Sequence, residues 1–136
     1  MSSQPFDLTG KVAIVTGASR GLGQAMARGL AKAGADLAVT SRTLASLAPF
    51  CEEVRGMGRR VLPLELNVRD YESIQRMVES AHAHFGQIDI LVNNAGCNVR
   101  KPAVEVTWED WNTVVDTNLR GSFFVAQAVA KKMLPR

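Results

Sequence analysis

The sequence predicts an α/β fold, a doubly wound parallel sheet with helices on both faces. From Lys11 onward, short β-branched runs bounded by turn residues alternate with longer stretches of helical periodicity, which is typical of βαβ units. The first of these runs is apolar at nearly every position, as expected for a strand that helices cover on both faces. No repeat, low-complexity segment or linker interrupts the alternation, so the chain is expected to contribute to a single domain.

The composition excludes several other classes of protein. With 46% hydrophobic and 21% charged residues in a length of 136, the chain is typical of globular proteins rather than of disordered tails or collagen-like fibres. The net charge of +3 is not concentrated in a run, which gives little support to nucleic-acid or membrane-surface binding. No apolar stretch approaches the roughly 20 residues that span a bilayer. Two cysteines and a polar start without signal-peptide features predict a cytoplasmic protein with reduced thiols.

The first strand is predicted over Val12–Thr16 and the first helix over Gly21–Ala33, with Gly34 ending the helix. Helical spacing predicts that one apolar stripe of this helix faces the sheet. The predicted members of the stripe are Leu22, Ala25, Met26, Gly29, Leu30 and Ala33.

The second strand is predicted over Asp36–Thr40, and the helix after it over about Leu44–Arg55. A proline beyond the first helical turn removes a hydrogen bond, so Pro49 predicts that this helix begins late or kinks. The third strand is predicted over Arg60–Leu66. Because Pro63 cannot donate a hydrogen bond to a neighbouring strand, we place this strand at an edge of the sheet.

An amphipathic helix is predicted over Asp70–Phe85 and a fourth buried strand over Ile88–Val92. Thr107 and Asp110 have the spacing of a capping box, which predicts the start of a helix, and the helical pattern continues to about Leu134. The inward residues expected on the first of these helices are Ile74, Met77, Val78 and Ala81.

The last helical stretch carries two further predictions. A break is predicted near Asn118–Gly121, where glycine and asparagine weaken the helical pattern. Trp108 and Trp111, three residues apart at the start of the stretch, are interpreted as packing residues.

A glycine-rich turn, Thr16–Gly23, lies between the first strand and the first helix. In this position glycines permit a tight turn and let backbone amides approach a pyrophosphate, while the helix N-terminus attracts the anion. An alternative is a loop that needs glycine only for positive φ. The turn residues expected to bind a dinucleotide are Gly17, Ser19, Arg20, Gly21, Leu22 and Gly23.

The turn has the spacing Gly-x-x-x-Gly-x-Gly, and two further motifs follow it: Asn-Asn-Ala-Gly at positions 93–96 and Asp-Thr-Asn-Leu, which contains Asn118. Together the three motifs resemble the short-chain dehydrogenase/reductase family over Lys11–Leu134. The resemblance implies a Rossmann-type sheet, of which this chain holds the first four strands in the order 3-2-1-4. It also implies that residues 1–136 are the N-terminal part of one NAD(P)-binding domain, without its catalytic half.

Ser41 and Arg42 stand at the end of the second strand, where an acidic residue binds the ribose 2′-hydroxyl of NAD in related folds. Without that acid a 2′-phosphate is not repelled, and Arg42 can hold it by charge-assisted hydrogen bonds. Arg20 would approach the same phosphate from the other side. We therefore expect NADP(H) to be preferred over NAD(H). The alternative is that Arg42 is a solvated loop residue.

Asn67 and Val68 follow the third strand, where the resembled family usually has Asp-Val against the adenine. An asparagine carbonyl can still accept a hydrogen bond from the adenine amino group, so both residues are expected to bind the cofactor. The Asn-Asn-Ala-Gly motif is expected to add Asn94, Ala95 and Gly96 to the cofactor site.

The resemblance implies hydride transfer with a tyrosine as general acid or base, a lysine four residues after it, a serine and an asparagine. The one tyrosine of the chain, Tyr71, is followed four positions later by Gln75 and opens a predicted helix, so it is not that tyrosine. The serine, tyrosine and lysine are expected beyond Arg136, which leaves Asn118 as the catalytic residue within the chain. Asn118 could also relieve the helix break, and the two roles are compatible.

Other reactive side chains are assigned no role. Cys97 is expected near the nicotinamide pocket as a small hydrophobic residue without redox function. His82 and His84 lie two positions apart on a helix and therefore point to different faces, so no metal site is predicted.

The leading hypothesis is the N-terminal portion of an NADP-dependent oxidoreductase that acts on a small carbonyl or alcohol substrate. The segments Asn98–Pro102 and Val114–Gly121 look most like gluconate 5-dehydrogenase and related sugar-acid or polyol dehydrogenases. A 3-oxoacyl-(acyl-carrier-protein) reductase is the alternative enzyme, and the resemblance implies a homo-oligomer for a longer form.

Two hypotheses come from other classes. One is a non-catalytic NADPH-binding module. The other is a truncated product that folds poorly, because the apolar residues of its last helix would lack partners. These residues are Phe123, Phe124, Val125, Ala126 and Val129.

Overall fold

Four parallel strands form the sheet of the computed structural model, which describes residues 5–135. The strands run in the order β3-β2-β1-β4, which confirms the predicted order. Residues 1–4 and 136 of the predicted domain lie outside the described part. The strands are β1 (Val12–Val15), β2 (Asp36–Ser41), β3 (Val61–Glu65) and β4 (Ile90–Val92).

Helices follow each strand, and two of them contain irregular turns. Pro49 is the second residue of its α-helix, which begins late after a 3-10 turn over Leu44–Leu47, so the first of the two predicted outcomes is confirmed. The break predicted near Asn118–Gly121 is a π-helical segment, Asp116–Gly121. The α-helices are α1 (Gly21–Lys32), α2 (Ala48–Gly56), α3 (Tyr71–Phe85), α4 (Trp108–Val115) and α5 (Ser122–Met133).

The core consists of one hydrophobic cluster on each face of the sheet. Alternate residues of β1 belong to different clusters, since successive side chains of a strand point to opposite faces. Val15 packs with α1 and α2, whereas Ile14 packs with α3 and α5. The four residues predicted to face inward from α3 are all buried, which confirms that helix face. Pro63 lies in the edge strand β3, as predicted.

The predicted inward face of α1 is wrong. Its buried residues are Gly23, Ala27 and Ala31, whereas Leu22 is 77% exposed and Met26 is also exposed. The helix is rotated by about one position relative to the apolar stripe, because Gly23 is the residue that fits against the turn after β1. Small side chains therefore face the sheet, and of the larger apolar residues of α1, Leu22 and Met26 are exposed whereas Leu30 is partly buried against the core.

Three predictions about the C-terminal part also need correction. The residues of β4 are only half-buried, since this strand is the other edge of the described sheet. Trp108 and Trp111 do not pack in the interior and are both exposed. Of the five apolar residues of the last helix that were expected to lack partners, Val125 and Val129 are buried against α3 and the sheet and Phe124 is partly buried. Phe123 and Ala126 are exposed, as that hypothesis expected. Within residues 5–135, no helix is long and apolar enough to cross a membrane.

Two leucine substitutions test this arrangement. Leu37 in β2 is fully buried, so we expect Leu37→Ala to lower the free energy of unfolding by about 2–5 kcal/mol. The matched control, Leu22→Ala, removes an exposed side chain and should change it by less than about 0.5 kcal/mol. Urea denaturation of both variants measures the difference. Equal losses would contradict the observed orientation of α1.

Candidate functional site

A cavity of about 890 Å³ lies at the carboxyl ends of the strands, the position where ligands bind to doubly wound sheets. Its volume is at the upper end of the range for small-molecule and cofactor sites. The turn after β1, the end of β2 and the loops after β3 and β4 each contribute to its wall. The predicted site residues that line it are Gly17, Ser19, Arg20, Gly21, Ser41, Arg42, Asn67, Val68, Asn94, Ala95 and Gly96.

Three predicted site residues do not line the cavity. Leu22 points outward from the first turn of α1. Gly23 is buried beneath the turn, where it packs against backbone. Asn118 lies on the π-helical segment and contacts the loop after β4, which itself lines the cavity. Gly23 thus lies beneath the cavity wall, whereas Asn118 is exposed and supports the wall through its contact with Cys97.

The structure also adds lining residues that the motifs do not include. Several directly follow or precede a predicted residue, so their positions in the sequence could have indicated them. Thr113, Thr117 and Arg120 instead come from the α4 region and reach the cavity only through tertiary packing. The remaining additions are Thr40, Thr43, Ser46, Leu66, Arg69 and Cys97.

The glycine-rich turn is held by close backbone packing that excludes larger side chains. Gly17 has a φ of +66°, and a Cβ on it would lie 3.1 Å from Cα of Ala95. A Cβ on Gly23 would overlap both the carbonyl oxygen of Gly17 and the side-chain nitrogen of Asn94. These two glycines therefore let α1, the turn and the loop after β4 approach one another.

Thr16 joins the turn to the loop after β4. Its buried Oγ1 accepts hydrogen bonds from the backbone amides of Asn94 and Ala95, both at 2.9 Å. The side-chain amide of Asn94 donates in return to the carbonyl oxygens of Thr16 and Gly17, at 3.3 and 3.2 Å. Asn94 thus uses its side-chain donor to hold the turn, while the residue as a whole lines the cavity.

Thr40 connects the same turn to the end of β2. Its buried Oγ1 accepts a hydrogen bond from the amide of Gly17 at 3.4 Å, and its carbonyl oxygen accepts one from Ala18 at 2.9 Å. The turn is therefore fixed on one side by Thr40 and on the other by Asn94. Ser19, Arg20 and Gly21, which follow in the turn and begin α1, line the cavity.

The N-terminus of α1 has no side-chain cap, unlike those of α3 and α4. Arg20, which precedes the helix, makes no side-chain capping bond, and the first turn contains no acidic residue. In contrast, side chains of Asp70 and Thr107 cap α3 and α4. The uncapped amides of α1 therefore keep their capacity to bind an anion.

Asn118 fixes the loop after β4 through both ends of its side-chain amide. Its Oδ1 accepts a hydrogen bond from the amide of Cys97, and its Nδ2 donates to the Cys97 carbonyl, both at 2.8 Å. Asn93 anchors the other end of this loop, because its Nδ2 donates to the carbonyl of Ser122 at 2.7 Å. Asn118 therefore holds the loop after β4, which differs from the local relief of the helix break considered as its alternative, and its backbone lies in the π-helical segment.

The π-helical segment also contacts the loop after β3. A Cβ on Gly121 would lie 2.7 Å from the carbonyl oxygen of Val68, so a glycine is required for this close approach. Single π-helical turns within α-helices occur often at functional sites. Here the segment brings two cavity-lining loops into contact with one helix, through Asn118 and Gly121.

Asp110 ties the loop before α4 to the helix. Its Oδ2 accepts a hydrogen bond from the Thr107 amide at 3.0 Å, and Oγ1 of Thr107 accepts one from the Asp110 amide, which confirms the predicted capping box. Nζ of Lys101 lies 2.6 Å from the same Oδ2. The hydrogen bond from Lys101, together with that from Thr107, lowers the pKa of Asp110 below its ordinary value.

The cavity wall is basic. Four arginines line it, and none of its lining residues is aspartate or glutamate. The charged side chains can therefore attract an anionic ligand without an opposing carboxylate. Among residues 5–135, no group of three or more His, Cys, Asp and Glu side chains is placed to hold a metal ion. The four arginines are Arg20, Arg42, Arg69 and Arg120.

Comparison with known proteins identifies relatives over nearly the whole chain. A family model described as short chain dehydrogenase matches residues 11–136. The chain is 43% identical over 129 residues to 2-dehydro-3-deoxy-D-gluconate 5-dehydrogenase of Escherichia coli (strain K12), covering 95% of this chain and 50% of that protein. It is 39% identical over 131 residues to gluconate 5-dehydrogenase of Gluconobacter oxydans (strain 621H), covering 96% and 51%.

A solved structure shows the same relation. A blue fluorescent protein from a metagenomic library, in complex with NADPH, superposes with a TM-score of 0.88 at 38% sequence identity. The match covers 93% of this chain and 53% of that one. The chain therefore spans about half the length of the curated relatives and of the solved structure that it matches.

Two glycine substitutions in α1 test the packing of the turn. Gly23→Ala places a methyl group against Gly17 and Asn94, and we expect it to lower the free energy of unfolding by about 1–3 kcal/mol. Gly29→Ala is the matched control in the same helix. Its Cβ meets open space, so it should stabilise the protein by about 0.5–1 kcal/mol. Chemical denaturation separates the two, and a neutral Gly23→Ala would refute the proposed contact.

Proposed function

The chain belongs to the short-chain dehydrogenase family, and from this premise we propose that it forms the NADP(H)-binding part of an oxidoreductase. The observation that carries the proposal is the basic cavity at the carboxyl edge of the sheet, which holds four arginines and no acidic residue in its wall. We propose further that residues 1–136 are the first part of a single Rossmann-type domain.

The residues of the turn fit a pyrophosphate. Gly17 and Gly21 line the cavity and have positive φ values of 66° and 60°, and turns of this kind can form anion-binding concavities of backbone amides. The uncapped N-terminus of α1 adds the favourable end of the helix dipole. Ser19 lines the same part of the cavity and supplies a hydroxyl group. These features support pyrophosphate binding at the turn.

The end of β2 supports a preference for NADP(H) over NAD(H). Arg42 and Arg20 both line the cavity, on the two segments expected to meet the ribose 2′-phosphate. A carboxylate at this position would repel the phosphate and would instead bind the 2′-hydroxyl of NAD. The guanidinium groups can each make paired hydrogen bonds to phosphate oxygens.

The loop after β3 supports adenine binding. Asn67 and Val68 line the cavity, and Gly121 holds the backbone of Val68 from behind. Oδ1 of Asn67 accepts a hydrogen bond from the Arg69 amide at 3.0 Å, which orients the side chain. A carbonyl oxygen has a second lone pair, so it can still accept a hydrogen bond from an amino group.

The arrangement of the loop after β4 supports the proposal that the nicotinamide end of the cofactor binds there. Ala95 and Gly96 line the cavity, and Asn118 fixes the backbone of the next residue, Cys97. A bound nicotinamide cofactor supplies the hydride that is exchanged with a carbonyl or alcohol substrate. We propose that Asn118 holds this loop in place and belongs to the catalytic set, whose serine, tyrosine and lysine are absent from these 136 residues.

The names of the relatives support a sugar acid or polyol as substrate. Two of the similar proteins are a gluconate 5-dehydrogenase and a 2-dehydro-3-deoxy-D-gluconate 5-dehydrogenase. A 3-oxoacyl-(acyl-carrier-protein) reductase remains the alternative within the same family. Both enzymes interconvert a carbonyl and an alcohol, on a small molecule in the first case and on a carrier-protein-bound acyl group in the second. No nucleic-acid or membrane partner is proposed.

Two further features of the whole protein are proposed from the surface and the cysteines. The exposed apolar residues Trp108, Trp111 and Phe123 support a homo-oligomer for a longer form, since such residues on one helical stretch suit a subunit contact.

Cys51 and Cys97 are both free, and burial raises the pKa of the Cys51 thiol, which is compatible with a reducing cytoplasmic location.

A non-catalytic NADPH-binding module is the second candidate function. The observation that favours it is that the glycine-rich turn and the four arginines proposed to bind the cofactor line one cavity, whereas Asn118 is the only catalytic residue proposed within these residues. Cofactor binding thus does not require the missing catalytic residues, whereas turnover does.

Replacing Arg42 tests the cofactor preference. We expect Arg42→Ala to weaken NADPH binding by roughly ten- to hundredfold, because charge-assisted hydrogen bonds to the 2′-phosphate are lost. NADH binding should not change. The matched control is Arg76→Ala, which removes the same charge from an exposed position on α3. Calorimetric titration measures both affinities, and equal effects of Arg42→Ala on NADPH and NADH would refute the preference.

Turnover by the chain itself is the next test. We expect purified protein consisting of residues 1–136 to bind NADPH and to reduce no carbonyl substrate, because the general acid is missing. The measurement is NADPH oxidation in the presence of keto-sugar acids, followed by absorbance. Thermal stabilisation by NADPH provides the control that the protein is folded and loaded. Steady carbonyl reduction would overturn this part of the proposal.

A further inference from the structure

Three residues around Arg42 form a closed ring of hydrogen bonds. The amide of Thr43 donates to Oγ of Ser41 at 3.3 Å. Oγ of Ser41 lies 2.9 Å from Oγ of Ser46, and Oγ of Ser46 donates to the carbonyl oxygen of Thr43 at 2.6 Å. The Thr43 carbonyl accepts a second bond, at 3.1 Å, from the Ser46 amide. The ring therefore begins and ends at Thr43.

The direction of each bond in the ring follows from counting hydroxyl protons. A serine hydroxyl has one proton to donate and two lone pairs with which to accept. Ser46 uses its proton at the Thr43 carbonyl, so the contact between the two serines must be donated by Ser41. Ser41 in turn accepts from the Thr43 amide. Each bond polarises the next in the same sense, which strengthens the ring.

We infer that Ser46 is a positioning residue for recognition of a ribose 2′-phosphate, an inference that rests on the proposed preference for NADP(H). Ser46 closes the ring, and the ring fixes the backbone on both sides of Arg42, since Ser41 precedes this residue and Thr43 follows it. The backbone of Ser41 is also held by the sheet, because its carbonyl oxygen accepts a hydrogen bond from the Leu66 amide at 2.9 Å. Residues 42–46 are exposed, so the ring ties this exposed segment to the end of β2.

The ring also determines which side-chain hydrogen-bond donors remain free to bind the phosphate. A phosphate oxygen only accepts hydrogen bonds, and both serine protons are already donated within the ring. Ser41 therefore holds the loop rather than the ligand, although it lines the cavity. Arg42 keeps its guanidinium donors. Thr43 also lines the cavity, and its side chain makes no capping bond, so its hydroxyl proton is available.

The test compares adenosine 2′,5′-bisphosphate with 5′-AMP, two ligands that differ only in the 2′-phosphate. Calorimetric titration of residues 1–136 gives the affinity ratio for wild type and for Ser46→Ala, Ser46→Thr and Ser41→Ala. We expect Ser46→Ala to bind the bisphosphate about fivefold more weakly, the worth of one hydrogen bond, and 5′-AMP as before. Ser46→Thr keeps the hydroxyl and should keep the wild-type ratio.

Ser41→Ala opens the same ring at a second bond and should lower the ratio in the same way. Ser80→Ala, an exposed serine on α3, is the control for loss of a hydroxyl group and should leave the ratio unchanged. Amide hydrogen exchange without ligand provides a separate readout, in which the Thr43 amide should exchange faster in Ser46→Ala than in wild type.

The outcomes separate this inference from the proposed function. If wild type favours the bisphosphate and Ser46→Ala favours it equally, the role of Ser46 is refuted while the preference for a 2′-phosphate stands. If wild type binds both ligands equally, the preference itself is refuted, and the role of Ser46 with it. A lower ratio in both ring-opening variants, restored in Ser46→Thr, supports the inference.

Discussion

The rest of the cavity depends on the hydrogen bonds that the buried hydroxyl of Thr16 accepts. It accepts hydrogen bonds from two consecutive amides of the loop after β4, while Asn94 of that loop donates to the carbonyls of Thr16 and Gly17. Because these groups are removed from water, leaving either side unpaired would cost about 1–3 kcal/mol per group. The turn after β1 and the loop after β4 are therefore held as one unit.

The glycines and the helix orientation follow from this unit. Asn94 can reach the Gly17 carbonyl only if the helix beside it presents no side chain there, which makes Gly23 the innermost residue of α1. That placement rotates the helix so that Leu22 points outward and the uncapped amides of α1 stay beside the cavity. The packing of Gly23 therefore accounts both for the orientation of α1 and for the position of its uncapped amides beside the cavity.

The basic character of the cavity arises from topology. Arg20, Arg42 and Arg69 follow three different strands, and parallel strands bring their carboxyl ends to one edge of the sheet. Arg120 joins them from the π-helical segment, whose Gly121 packs on the Val68 backbone. The same segment fixes Cys97 through Asn118, so one irregular helix supports both ends of the candidate cofactor site.

The sequence by itself determined the late start of α2, the break in the last helix and the loops that carry the site, because these depend on local patterns such as proline position, glycine spacing and capping. The strand order was implied only by the family resemblance that the three motifs carry. Only the tertiary structure decided which face of α1 is buried, how far β4 and the two tryptophans are exposed, and that Thr113, Thr117 and Arg120 reach the cavity. Periodicity fixes which residues share a helix face, but which face meets the sheet is set by contacts between residues far apart in the chain, here Gly23 with Gly17 and Asn94.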